Sequence, residues 1–147
     1  MRAGFYLVDE AGDAINFSKE WLTMREHAIK KVLNVKKLIP ISIIFISKEK
    51  MRALHGSYYG AAKVTDVLSF FYEKEVGIEH EYGEIFLCTS FVYQQAKRYS
   101  VLFEEELTRL LIHGTLHIYG YDHTKLSERK KMNTVAQLIV QQIKKHD

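Results

Sequence analysis

Hydrophobic and polar residues alternate along this 147-residue chain with a period that changes several times, and each change marks a different element. The first apolar run, FYLVDE from Phe5 to Glu10, predicts a short strand. From Ser18 to Leu33 the apolar positions Trp21, Leu22, Ala28, Ile29, Val32 and Leu33 recur near the helical period, and Ser18 stands where an N-cap belongs. ISIIFIS, Ile41 to Ser47, is an unbroken β-branched run of the kind buried inside a sheet, and KEKMRALHGSYYG after it predicts a helix ending in a glycine-punctuated loop. DVLSFFY and GEIFLCT predict two further strands, joined by the polar stretch EKEVGIEHEY as a loop or hairpin connection. Helical periodicity then takes over in TSFVYQQAKRYS, FEEELTRLLIHGTLHIYG and SERKKMNTVAQLIVQQIKK, with Thr89 and Ser127 as candidate caps and Gly120 as a stop. The expected architecture is α/β of the α+β kind, a small mixed sheet of about four strands covered by about five helices.

Composition narrows this picture. A hydrophobic share of 47%, a charged share of 27% and a single proline describe an ordinary globular chain without a linker, so residues 1–147 are expected to form one domain. A net charge of +3 permits an anionic partner without demanding one, and the basic runs KEK, RKK and the terminal KK are read as solvated helix faces rather than an RNA stripe. The single cysteine, Cys88, excludes an internal disulfide framework and fits a reducing, cytoplasmic setting. Asp9 and Glu10 stand where a secretory signal would be apolar, and LIPISIIFI is far short of the ~20 residues that span a bilayer, so no membrane association is expected.

Candidate chemistry concentrates in LLIHGTLHIYGYDH, which holds three of the seven histidines. His113 and His117 are four apart on a strongly helical segment, so both project from one face with Cβ atoms about 5 to 6 Å apart. On a continuous helix His123 would be rotated roughly 240° from His117 and face away. Gly120 removes that obstacle, because glycine tolerates the left-handed conformation that ends a helix and turns the chain back. A structural histidine cluster is the alternative; the favoured reading is three imidazoles on one metal ion. Three protein ligands leave the fourth tetrahedral position of a zinc ion for water, and three neutral imidazoles leave its full charge available to an anionic substrate such as a phosphodiester. Asp122 either orients a ligand imidazole or the bound water, or shapes the turn.

The spacing H-x3-H-x2-G-x2-H is also the frame of the metzincin peptidases, His-Glu-x-x-His-x-x-Gly-x-x-His. Gly114 stands where their glutamate belongs. That glutamate is the general base for peptide hydrolysis, so ordinary zincin proteolysis is not expected here.

HGTLHIYGYDH, His113 to His123, closely resembles the signature His-Gly-x-Leu-His-Leu-x-Gly-Tyr-Asp-His of the YbeY family of bacterial metal-dependent endoribonucleases. TDVLSF, Thr65 to Phe70, matches a second family block, and GEI, Gly83 to Ile85, resembles the family's Gly-Asp-Ile. The resemblance implies a zincin-like fold with a cleft between the sheet edge and the ligand helix, and one zinc ion per chain on His113, His117 and His123. It further implies RNA as substrate, with ribosomal RNA and ribosomal particles as partners in maturation and quality control. Asp122 is then a catalytic candidate, and Tyr59, Lys63, Thr65 and Asp66 are substrate-binding candidates. Tyr59 stands where the family usually has a cleft arginine, with Lys63 as a possible compensating charge, and Val64 and Phe71 replace usual prolines. Tyr58, Tyr59, Tyr119 and Tyr121 are candidates for stacking on the bases of single-stranded RNA. The alternatives are a metallohydrolase of another substrate class and a non-catalytic ribosome-assembly factor with a structural metal.

Overall fold

The computed structural model describes residues 3–13, 15–59, 67–77, 79–122 and 124–145. The elements run β1 (Gly4–Asp9), α1 (Lys19–Leu33), β2 (Pro40–Ile46), α2 (Lys48–Tyr59), β3 (Val67–Tyr72), β4 (Tyr82–Cys88), α3 (Thr89–Arg98), α4 (Phe103–Ile118) and α5 (Leu126–Lys144). The expected mixed sheet is present, with four strands in the order β1-β2-β4-β3. β1, β2 and β4 are parallel, while β3 pairs antiparallel with β4 and forms one edge.

The unbroken apolar run of β2 has its reason in this order. β2 lies between two parallel neighbours, and both its faces are covered. Ile41, Ile43 and Phe45 join Ile85 and Leu87 of β4 in the larger core, which is closed by Ala28 and Ile29 of α1, Leu107, Leu110 and Leu111 of α4, and Ile139 and Ile143 of α5. Ile44 and Ile46 point the other way, into a smaller cluster with Met51 of α2, Leu68 of β3 and Cys88. The lone proline, Pro40, opens β2, where a strand tolerates a residue without an N–H donor.

Helix ends were only partly legible. Ser18 caps α1 as expected, its Oγ accepting from the Trp21 N–H at 3.1 Å. Thr89 and Ser127 do not act as caps. β4 runs straight into α3, so Cys88 takes the N-cap position without a side-chain bond, and the Thr89 hydroxyl is buried with no hydrogen-bond partner among the described residues. α5 starts one residue before Ser127, with Lys125 at its N-cap.

Candidate metal centre

α4 lies on β4 at unusually short range, and two glycines make that possible. A Cβ on Gly114 of the helix would sit 3.0 Å from Cδ1 and 3.2 Å from Cγ1 and Cγ2 of Ile85. A Cβ on Gly83 of the strand would sit 2.8 Å from Cδ1 of Ile118. Gly114 therefore faces the sheet, and its place in the motif follows from packing as well as from the absence of a base. These two contacts also set direction: from Gly114 to Ile118 the helix passes from the level of Ile85 to that of Gly83, antiparallel to β4 and so parallel to β3.

The histidines sit on a flank of the same helix. His117 is nine residues from Thr108, about 180° around the axis. Thr108 belongs to the flank turned to α1, where its Oγ1 accepts from Arg25 Nε at 2.9 Å. α1 packs on β1, the far edge of the sheet, and α4 also contacts β3, so the histidine flank is on the β3 side. Residues directly opposite on paired strands share a face. Ser69 is opposite Ile85 and Phe71 is opposite Gly83, which puts both on the α4 side of the edge strand, level with the histidine turns. The histidine flank of α4 and this face of β3 thus lie on the same side of the sheet, where the resemblance implies a cleft.

On that flank the two imidazoles converge. His113 Nε2 and His117 Nε2 are 3.2 Å apart, with ring centroids 4.7 Å apart and planes at 67°. Both residues are half-buried. Two nitrogens each 2.0–2.1 Å from a tetrahedral zinc stand about 3.3 Å apart, so the pair already has the bite of a tetrahedral site. The same separation also fits one imidazole donating to the other. Among the described residues no group of three histidine, cysteine, aspartate or glutamate side chains is arranged to hold a metal, and His123, the third expected ligand, lies outside those residues.

Gly120 behaves as its sequence position predicts. Its φ is +93°, and the end of α4 is a double bond of the Schellman kind: the Tyr121 N–H donates to the Leu116 carbonyl at 2.9 Å and the Gly120 N–H to that of His117 at 3.0 Å. No atom lies within 4 Å of a Cβ built there, so the demand for glycine is one of backbone conformation alone. Gly120→Val is accordingly expected to cost about 1–2 kcal/mol in thermal melts and to weaken metal binding, because a β-branched residue resists positive φ. Gly120→Asn, which tolerates that region, should retain most of both.

The other expected residues divide clearly. Asp122 accepts from the Thr124 N–H at 3.1 Å and from its hydroxyl at 2.8 Å, a turn-shaping role just before α5. Tyr119 is packed against the larger core, and its hydroxyl accepts from the Ile39 N–H at 3.0 Å. Burial raises its pKa, an effect the Ile39 bond partly opposes. Tyr121, like Tyr119, is half-buried against the same core. Tyr58 is exposed but leans on Phe70, on the opposite face of β3. Tyr72 and Tyr82 stack there too, at 4.5 Å, and Tyr72 donates to Glu84 at 2.7 Å. Burial, then that bond, push the Tyr72 hydroxyl well above the ordinary phenol range. Cys88 belongs to this far face and is buried, so it is remote from the histidine flank. Lys63, Thr65, Asp66 and the side chain of Tyr59 lie outside the described residues.

A concavity of about 820 Å³ opens at the N-terminal end of α4, between Arg25, Leu102, Glu105 and Lys144. Its buried charges serve the fold: Arg25 bonds Thr108, and Arg109 grips the buried Glu106 at 2.7 and 2.9 Å.

Comparison with known proteins places this arrangement. The family model described as endoribonuclease YbeY matches residues 8–144. The chain belongs to the YbeY family. An endoribonuclease YbeY from Thermodesulfovibrio yellowstonii is 43% identical over 106 residues, which cover 71% of this chain and 67% of that protein. Its counterpart from Staphylococcus saprophyticus is 35% identical over 130 residues, 82% of this chain and 85% of that one. The solution structure of TM1509 from Thermotoga maritima shares the fold with a TM-score of 0.58 at 22% identity, covering 97% of this chain and 93% of its own. In this YbeY chain no described helix is long and apolar enough to cross a membrane.

Proposed function

We propose that this chain is a metal-dependent endoribonuclease that cuts single-stranded RNA, with one zinc ion held by His113, His117 and His123, and that it acts in the cytoplasm in ribosomal RNA maturation and ribosome quality control. Its membership of an endoribonuclease family makes it a hydrolase of RNA phosphodiester bonds. The observation that carries the zinc assignment is the convergence of His113 and His117 Nε2 at 3.2 Å on the cleft side of α4. The donor set fits: neutral imidazoles suit zinc, and three of them leave an open position. A zinc ion there supplies Lewis acidity and a positive field for the scissile phosphate.

The chain's own residues do the rest. α4 fixes the imidazole pair, and the Gly120 turn ends the helix two residues before Asp122. Asp122 holds the following turn through Thr124, a positioning role that favours the turn-shaping reading of this residue. Thr65 and Asp66 precede β3 in the sequence, and they are assigned, with Tyr59 and Lys63, to contacts with RNA. The whole chain, 1–147, serves as one hydrolase domain.

The deciding experiment pairs metal analysis with product analysis. Purified protein should carry about one zinc per chain, cut a single-stranded ribosomal RNA fragment, and lose that activity on chelation with recovery on adding zinc. Turnover of peptides or small esters but not RNA would establish a hydrolase of another class. Binding to ribosomal particles without any turnover would leave an assembly factor with a structural metal.

A further inference from the structure

The edge strand beside the histidines carries one aromatic ring that the core does not use. Phe71 is 41% exposed, on a strand whose other large residues are half-buried or buried. Its register partner is Gly83, whose missing Cβ is what lets Ile118 approach, and Ile118 directly follows His117. The ring therefore stands on the α4 side of β3, the side of the sheet that carries the histidine pair. The other exposed ring on this strand's surroundings, Tyr58, lies on the opposite face against Phe70, and Tyr119 and Tyr121 are half-buried against the core.

We infer that Phe71 is a base-stacking platform: a nucleobase of the bound single strand lies on its ring while the adjoining phosphate is presented to the histidine side. This rests on the RNA reading above and specifies how that cleft holds its substrate. Stacking is insensitive to base identity, because every base offers a π face, and it orients a strand without needing a cation. A phenylalanine at an exposed edge position adds little to stability, since large exposed apolar groups at such sites bury little area. Its exposure and its place on the face of β3 that shares the histidines' side of the sheet are both accounted for by a flat, apolar ligand surface. The platform gives the cleft a wall that grips bases, on the strand that faces the metal-binding flank.

The test is a cycle between side chain and base. Affinity for a short single-stranded RNA is measured by fluorescence anisotropy in chelator, to prevent cleavage, for the native chain, Phe71→Ala, Phe71→Trp and Phe71→Leu. A single abasic nucleotide is walked through the RNA in each case. Native protein should lose about tenfold in affinity at one abasic position, Phe71→Ala should lose about tenfold on intact RNA, and the abasic position should then cost nothing further. Phe71→Trp should bind at least as well as native, whereas Phe71→Leu, equally apolar but without a ring, should resemble Phe71→Ala. If Phe71→Ala binds like the native protein, or the abasic penalty persists in it undiminished, the stacking role is overturned and the nuclease reading stands. If the native chain neither binds nor cleaves the RNA, the nuclease reading falls and this inference with it.

Discussion

His117→Ala is expected to empty the metal site and to abolish RNA cleavage. One of two nitrogens that stand 3.2 Å apart is removed, and the remaining imidazoles chelate poorly. Bound zinc should drop from about one per chain to under about a tenth. A metal centre contributes several kcal/mol to stabilising charge in a phosphodiester transition state, and at 1.36 kcal/mol per tenfold that corresponds to about a thousandfold in rate. Elemental analysis and a gel assay on the same RNA check the two halves together. Circular dichroism should be unchanged, because His117 is only half-buried and the helix keeps its core face. Full zinc occupancy in the variant would mean that the pair is joined by an imidazole–imidazole hydrogen bond and that the metal resides elsewhere.

Gly114→Val should be the most damaging change to the fold among the residues of the motif. Its Cβ would start 3.0 to 3.2 Å from three atoms of Ile85, a side chain with no exposed surface and a stiff, branched stem. The two added methyls have nowhere to go unless α4 lifts off β4. Overpacking of this kind costs about 3 kcal/mol, or about 10 °C in Tm for a domain of this size. Because the histidines ride on the same helix, metal affinity should fall with stability. Gly114→Ala separates the terms: the better helix propensity, worth about 1 kcal/mol, offsets part of the crowding, so its loss should be clearly smaller. A Gly114→Val protein that melts like the native one would show that helix and sheet are not held at this distance.

Much of this molecule was written in its hydrophobic periods, and the reasons for the misses are specific. Elements with strong, uninterrupted patterns, such as β2 and α4, were located to within about two residues because burial on one or both faces dictates their composition. Gly120 was legible as a helix stop because only one backbone conformation ends a helix that way. The same reasoning misplaced Thr89 and Ser127, since a hydroxyl caps only from the extended residue just before the first turn, and both residues already lie inside their helices, with Cys88 and Lys125 in the cap positions. Strand order was not legible. Periodicity says that β3 and β4 are strands, but not that β4 comes to lie between β2 and β3. Without that order, Gly83 and Gly114 could not be recognised as two sides of one contact, nor Phe71 as a residue on the α4 side of the edge strand. The histidine pair was legible from spacing alone, because four residues on a helix bring two side chains together whatever the tertiary fold.

The strand order also carries a consequence for the chain's birth. β3 is made before β4 yet pairs only with it, and β4 closes the gap beside β2. A nascent chain that has emerged only as far as Tyr72 therefore has β1 and β2 able to pair and a third strand with nothing to join. α4 docks on β4 through Gly83 and Gly114, so it gains its seat only after that strand is in place. For an endoribonuclease synthesised on the ribosome, amid the class of RNA it is proposed to cut, the order of synthesis acts as a safety catch. The histidine pair has no seat until β4 and α4 have both left the exit tunnel.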